Sequence, residues 1–201
     1  MTTPSAWDVL EGTTLPRGHR VEIAAGRIVM TPRREAGRQA VLAASPQIEA
    51  QLAGRGVLVA DARIDFPSAD HGYAPDLAVL APGAAPGRRG RYSWRVIEAA
   101  FDVVPRPEQD HDYVRKLRFL SECGVPLYVV VDPVEALCTV HSDPQRAGAY
   151  REAERVPFGS DLYLPLADRT LVIGTGDFPA EPPRAATPEA GPGRARGTLD
   201  G

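Results

Sequence analysis

Lys116 is the only lysine in this chain of 201 residues, so the other 22 of its 23 basic side chains are arginine. The pKa of an amine can shift far enough for proton exchange, whereas a guanidinium in a protein stays charged. An arginine stem would cover apolar surface as well as a lysine stem does. The single lysine therefore indicates either a chemical role for the amine or a side chain that only covers the core.

Two carboxylates precede this lysine in segments that have the composition of strands. Asp76 follows Pro75 at the start of the apolar run DLAVLA, and Glu98 lies inside the run WRVIEAAF. A carboxylate within an apolar strand costs free energy unless a cation or hydrogen bonds compensate for it. Oxygen ligands on adjacent strands suit Mg²⁺ or Mn²⁺. We therefore take Asp76 and Glu98 as candidate metal ligands, and both of them with Lys116 as candidate catalytic residues.

This set of side chains fits the metal-assisted hydrolysis of a phosphodiester. A metal would polarise the phosphate and lower the pKa of a bound water. Lys116 would orient that water or stabilise charge on the phosphate. Considered singly, Asp76 is also typical of a strand start, and Glu98 is typical of a buried partner for an arginine.

A strand–helix–strand unit would position these residues. Its predicted strands are 94–101 and 126–133, with a helix at 112–123 between them. Such a crossover sets the two strands parallel and packs the helix on one face of the sheet. Lys116 falls at the margin of the apolar stripe of this helix, so its ammonium can reach past the core.

The remaining segments predict a mixed α/β sheet flanked by helices in a single domain. A hairpin is expected at 21–30 around Gly26, and a helix at 35–52 that Pro46 should kink or divide. Further strands are predicted within 56–66, 76–81, 137–142, 149–156 and 161–173. We expect an irregular lead-in at 1–18, the domain at 19–177, and a disordered tail rich in proline and glycine at 178–201.

Composition excludes several functional classes. A formal net charge of -3 argues against a protein that coats nucleic acid through bulk charge. No run approaches the roughly 18 apolar residues of a membrane span, and the first residues do not resemble a signal peptide. We therefore expect a cytoplasmic protein without a membrane partner. The sequence has no phosphate-cradling Gly-x-x-x-x-Gly-Lys loop and no nucleophile elbow.

The order and spacing of several short motifs resemble the Uma2 family, a bacterial group also known as DUF820. The resemblance covers residues 19–173. The matching residues are Glu22 with Gly26, Pro75-Asp76, Glu98, Asp112 with Lys116, Gly124-Val125-Pro126 and Val131-Asp132-Pro133. In this family the lysine has moved from the strand motif to the helix. Glu98 is followed by Ala99 and Ala100, where the family has valine and then a serine–proline pair.

The resemblance implies a restriction-endonuclease-like fold of the PD-(D/E)XK type and a Mg²⁺-dependent (or Mn²⁺-dependent) endonuclease that acts on DNA. Many nucleases with this fold work as homodimers that cut both strands. For two other residues we expect structural roles. Asp112 would cap the helix, and Glu22 would lie on the hairpin surface.

Two other functions fit the same residues. The chain could keep the nuclease-like fold as a binding protein without turnover, or it could hydrolyse a smaller phosphate ester with the help of a metal. Metal binding separates the first alternative from an enzyme. Cleavage of DNA that depends on Lys116 separates the second alternative from a nuclease.

Overall fold

The structure is a computed structural model, and it describes residues 6–11, 18–24, 26–67, 72–87, 90–104 and 111–181. The helices are α1 (Ala6–Glu11), α2 (Glu35–Leu52) and α3 (His111–Cys123), with one 3-10 turn at Trp94–Val96. The strands are β1 (His19–Ala24), β2 (Arg27–Pro32), β3 (Val57–Ala60), β4 (Ile64–Asp65), β5 (Leu77–Leu80), β6 (Tyr92–Ser93), β7 (Ile97–Val103), β8 (Leu127–Asp132), β9 (Leu137–Gln145), β10 (Ala149–Pro157), β11 (Asp161–Pro165) and β12 (Thr170–Gly174).

Six of these strands form a central mixed sheet in the order β10-β9-β8-β7-β5-β3. β7 and β8 are parallel, and the other neighbouring pairs are antiparallel. α3 makes the crossover between the parallel strands, as the sequence predicts. The predicted fold class, a mixed α/β sheet flanked by helices in one domain, is confirmed.

Each face of the sheet buries its own hydrophobic cluster. α2 packs Ala44, Ile48 and Leu52 onto one face, where Val129 of β8 belongs to the same cluster. On the opposite face, Leu120 of α3 joins the cluster. Full burial of a large aliphatic side chain stabilises the fold by about 1.5–3 kcal/mol. The two faces therefore fix the sheet rigidly, and with it the strand ends that carry polar residues.

α2 runs from Glu35 to Leu52 as one helix, although Pro46 lies inside it. A proline in a helix removes one backbone hydrogen bond, which is why the sequence favoured a break. Downstream of it, Gln47 and Gln51 donate to backbone carbonyls of β12 over 3.0 and 2.6 Å. Because these contacts hold the second half of the helix against β12, tertiary structure outweighs the local preference for a break.

The hairpin predicted around Gly26 is formed by β1 and β2, and Gly26 has the positive φ of 72° that its tight turn requires. Before it, the structure differs from the irregular lead-in that we expected. α1 lies within that stretch, and its Leu10 is buried with Ile23 of β1. A helix of six residues gives too short a periodic signal to be detected in a sequence.

The predicted tail also starts with ordered packing. Phe178 lies against Phe158, with 5.5 Å between the ring centroids, and Glu181 donates its backbone N–H to the Pro133 carbonyl. The rest of the predicted tail, 182–201, lies outside the described residues. In the described part of the chain, no helix is long and apolar enough to cross a membrane.

Strand register decides which carboxylates can meet. Leu77 of β5 pairs with Phe101 of β7 in antiparallel register, so the next residues outward, Asp76 and Asp102, are neighbours. Toward the other end of β7 the register shifts, and Glu98 is the extra residue at that irregularity. The sheet therefore brings Asp102 to Asp76, and it places Glu98 four residues further along the strand.

Candidate active site

Asp76 and Asp102 form a buried carboxylate pair at the end of β5 and β7. The backbone N–H of Asp76 donates to Asp102 Oδ1 over 3.4 Å. The backbone N–H of Val103 donates to Asp76 Oδ2 over 2.8 Å. Asp102 is fully buried, and only 14% of the Asp76 side chain is exposed. These backbone donors hold the two carboxylates in a fixed orientation.

Lys116 reaches this pair from α3. Its Nζ lies 2.6 Å from Asp102 Oδ2 and 2.8 Å from Glu22 Oε1, and it stands 5.2 Å from the centroid of the Tyr73 ring. The residue is 6% exposed. A buried ammonium is stable only when it is paired. The lone lysine is therefore held by two carboxylates from different parts of the chain.

The β1–β2 hairpin supplies two further members of this cluster. Arg20 Nη1 donates to Asp76 Oδ2 over 3.1 Å and to Asp102 Oδ1 over 2.9 Å. Glu22 accepts from Lys116 and from the backbone N–H of Ala74. The cluster thus contains three carboxylates and two cations, so one formal negative charge is left over.

Ionisation in the cluster follows from burial and from these contacts. Burial and the neighbouring Asp102 raise the pKa of Asp76 above its usual range, although Arg20 opposes them. Burial alone would also raise the pKa of Asp102, but Lys116 and Arg20 outweigh it and hold this pKa below its usual range. Burial would lower the pKa of Lys116, but Asp102 and Glu22 raise it overall. Lys116 is therefore an ammonium, and Asp76 is the member of the aspartate pair that takes up a proton more readily.

Aromatic side chains pack next to the charged cluster. The hydroxyl of Tyr128 donates to Asp102 Oδ2 over 2.8 Å. Tyr113 stacks on Tyr128 with 6.3 Å between ring centroids, and its hydroxyl is hydrogen-bonded to Nε2 of His141 over 2.9 Å. Burial lowers the pKa of His141 to about 4. This end of the sheet therefore holds a neutral histidine behind a charged cluster.

The cluster borders a cavity of about 180 Å³. Its charged lining residues are Arg20, Glu22, Asp102, Arg115 and Lys116. The cavity therefore lies against groups that are otherwise largely buried.

The structure does not bring Glu98 to this cluster. Glu98 Oε2 accepts from Arg169 Nη2 over 2.7 Å, and both side chains are largely buried. Glu98 lies four residue steps before Asp102, which corresponds to roughly 13 Å along β7. Of the three residues that the sequence singled out, Asp76 and Lys116 belong to one cluster, joined through Asp102, which stands where we had expected Glu98.

A signal for Asp102 exists in the sequence. Asp102 is followed by Val103 and, two residues later, by Pro105, which is nearer to the acid–valine–proline order of the Uma2 motif than the residues after Glu98 are. We missed it because Glu98 lies in the more apolar run. Glu22 was expected on the hairpin surface, but two backbone hydrogen bonds between Ile23 and Gly72 dock the hairpin beside the site.

Two carboxylates suit a divalent cation here. Among the described residues, no group of three or more histidine, cysteine, aspartate or glutamate side chains is placed to hold a metal ion. Mg²⁺ usually keeps several waters and binds through one or two carboxylates. One oxygen of Asp76 and one of Asp102 both contact Arg20 Nη1, so the two carboxylates already share one cationic partner. The donor set therefore fits Mg²⁺ or Mn²⁺ once Arg20 Nη1 leaves the two carboxylates.

The fold is a mixed sheet with a helical crossover, and a buried cluster of acids and a lysine lies at its strand ends. This combination is typical of the nuclease-like class. A family model described as "Uma2: Putative restriction endonuclease" matches residues 7–172. The chain belongs to the Uma2 family, as its motifs predict.

A solved structure has the same fold. It is the crystal structure of "a putative nuclease belonging to DUF820" from Anabaena variabilis ATCC 29413, which matches with a TM-score of 0.60 and 16% sequence identity. The match covers 88% of this chain and 97% of that chain. None of the curated proteins compared matches this chain.

Proposed function

We propose that this protein is an endonuclease that hydrolyses DNA phosphodiester bonds with Mg²⁺ or Mn²⁺. The observation that carries the proposal is the convergence of Asp76, Asp102 and Lys116 at one buried position beside an open cavity. Membership of a family described as restriction endonucleases supports DNA as the substrate.

Asp76 and Asp102 would hold the cation in this proposal. The cation supplies polarisation of the phosphate and a water of lowered pKa. The protein's own part is to keep two carboxylates together in a buried place, where they would otherwise repel each other. The Val103 N–H and the Tyr128 hydroxyl do this by donating one hydrogen bond to each carboxylate.

Lys116 would act through its charge. Because Asp102 and Glu22 keep the ammonium protonated, it can orient the attacking water and stabilise negative charge on the phosphate. Glu22 serves as the positioning residue that holds the Lys116 ammonium beside Asp102. The proposed role of Lys116 thus uses the charge of the ammonium, and not the proton exchange that distinguishes an amine from a guanidinium.

The proposal also includes contacts to DNA, a homodimer and a cellular location. Arg20 and Arg115 at the cavity would contact phosphates, although a net charge of -3 indicates a local footprint rather than a broad cationic surface. A homodimer would let two sites cut both strands of a duplex. We place the enzyme in the cytoplasm, where its proposed substrate is found.

Plasmid nicking by the purified protein tests the proposal. We expect conversion of supercoiled plasmid that requires Mg²⁺ or Mn²⁺, stops in EDTA, and falls about 100-fold or more in Lys116→Met because the charge near the phosphate is lost. Arg118→Met is the matched control, since Arg118 lies on the same helix, largely exposed and paired with Glu122. Circular dichroism of each variant confirms that it is folded.

The outcomes separate the three functions. Cleavage that persists in Lys116→Met would contradict the proposal. Metal binding without action on DNA, but with hydrolysis of a small phosphate diester, would indicate the smaller substrate. Neither metal binding nor cleavage would indicate a binding protein that keeps the nuclease-like fold. Linear product that appears together with the nicked form would support a dimer.

A further inference from the structure

Arg20 occupies the position between the two carboxylates that the proposed function gives to a cation. Its Nη1 lies 3.1 Å from Asp76 Oδ2 and 2.9 Å from Asp102 Oδ1, so one nitrogen bridges both groups. The neighbouring ammonium of Lys116 contacts the other oxygen of Asp102, Oδ2. Arg20 Nη1 is therefore the cation on Asp76 Oδ2 and Asp102 Oδ1, two oxygens that also accept the backbone N–H groups of Val103 and Asp76.

We infer that Arg20 is an internal counter-cation that competes with the divalent metal for Asp76 and Asp102, and that it must leave the carboxylates before a metal can bind. This inference rests on the proposed function. Without a cation, the two buried carboxylates would repel each other and lose hydration. Arg20 offsets both costs in the metal-free protein.

The surroundings of Arg20 allow it to leave. Its side chain is 16% exposed, and it lines the cavity that borders the cluster. On the hairpin itself, Glu22 Oε2 lies 3.8 Å from Arg20 Nε, which is a looser contact than those to the aspartates. A rotation of the guanidinium toward the cavity keeps the Glu22 contact within reach and frees the carboxylate oxygens. Lys116, by contrast, is 7% exposed in its side chain and cannot leave without losing two close partners.

Competition has a measurable consequence in the absence of any substrate. Each metal-binding event has to break charge-assisted hydrogen bonds from Arg20, so removal of the guanidinium should tighten the binding of Mn²⁺ by about tenfold or more. Isothermal titration calorimetry of wild type, Arg20→Met and Asp102→Asn with Mn²⁺ alone measures this. The matched control is Arg38→Met, because Arg38 is exposed and pairs with Glu35 on α2. It lowers the net charge equally.

Three outcomes are distinguishable. Tighter binding in Arg20→Met than in wild type and Arg38→Met supports the inference. Equal or weaker binding in Arg20→Met, with binding lost in Asp102→Asn, overturns the inference and leaves the proposed metal site intact. Absence of binding in all of the proteins contradicts the proposed function, and the inference falls with it.

A second measurement covers the case in which Arg20→Met does not fold. In the wild-type protein, the Nε–Hε NMR signal of Arg20, assigned with Arg20→Lys, is followed during a titration with Mg²⁺. We expect this signal to shift and to exchange faster with water as the metal saturates the site. An Arg20 signal that stays unchanged while the metal binds overturns the inference.

Discussion

The two ends of β7 carry one acidic side chain each, and they use it differently. At one end, Glu98 meets Arg169, so one carboxylate faces one guanidinium that also contacts Asp168. At the other end, Asp102 belongs to a cluster in which carboxylates outnumber cations and a cavity lies alongside. At the Glu98 end, the second carboxylate, Asp168, is 55% exposed, so the buried contact is one carboxylate with one guanidinium, and it stabilises the fold. At the Asp102 end, three carboxylates and two cations lie beside a cavity, which is the arrangement that the proposed binding of a cation and a substrate requires.

The largest expected difference between the two ends is in stability. Asp102→Asn should lower the free energy of unfolding by about 3–5 kcal/mol, because it leaves two buried cations without their shared carboxylate. Glu98→Gln should lower it by about 1–3 kcal/mol, because Arg169 keeps Asp168 as a partner. Urea unfolding followed by circular dichroism measures both values. The exposed Asp143→Asn, which changes surface contacts to Arg151 and Gln145, serves as the control. Equal losses at Asp102 and Glu98 would contradict the contrast.

A smaller effect should appear in the pH dependence of the unfolding free energy, and it should come from His141 at the Asp102 end of β7. Burial lowers the pKa of His141, behind the cluster, from 6.5 to about 4. Between these two values the unfolded chain binds the proton and the folded chain does not, so stability falls as the pH drops through this window. The loss should reach about 2–3 kcal/mol between pH 7.5 and 4.5.

His141→Gln isolates this contribution, since glutamine stays neutral and the other ionisable groups are unchanged. We expect the pH dependence of the unfolding free energy to be flatter in this variant by that amount. Parallel curves for wild type and His141→Gln would show that the histidine titrates normally in the folded state.

The sequence predicted the fold well because its signals are local. Apolar runs, the turn at Gly26 and the crossover around α3 each depend on a few neighbouring residues. The sequence left open a kink or a division of α2 at Pro46. The division is wrong for the opposite reason, since contacts from β12, more than a hundred residues away in sequence, hold α2 as one helix. Local preference decides an element only where no distant contact opposes it.

The site was predicted in part for the same reason. Asp76 and Lys116 stood out by residue type and position, and both belong to the cluster around Asp102. The choice between Glu98 and Asp102 depends on the register of β5 against β7, and a shift at Glu98 changes that register. Arg20 reaches the site only through the docking of the hairpin, which no local pattern encodes.

The most direct test of this account compares Asp102→Asn with Glu98→Gln in plasmid nicking with Mg²⁺, with calorimetric Mn²⁺ binding measured on the same preparations. The account predicts that Glu98→Gln binds Mn²⁺ and nicks DNA within a few-fold of wild type, while Asp102→Asn, confirmed as folded, does neither. The opposite pattern, with activity and metal binding lost at Glu98 and retained at Asp102, would contradict it.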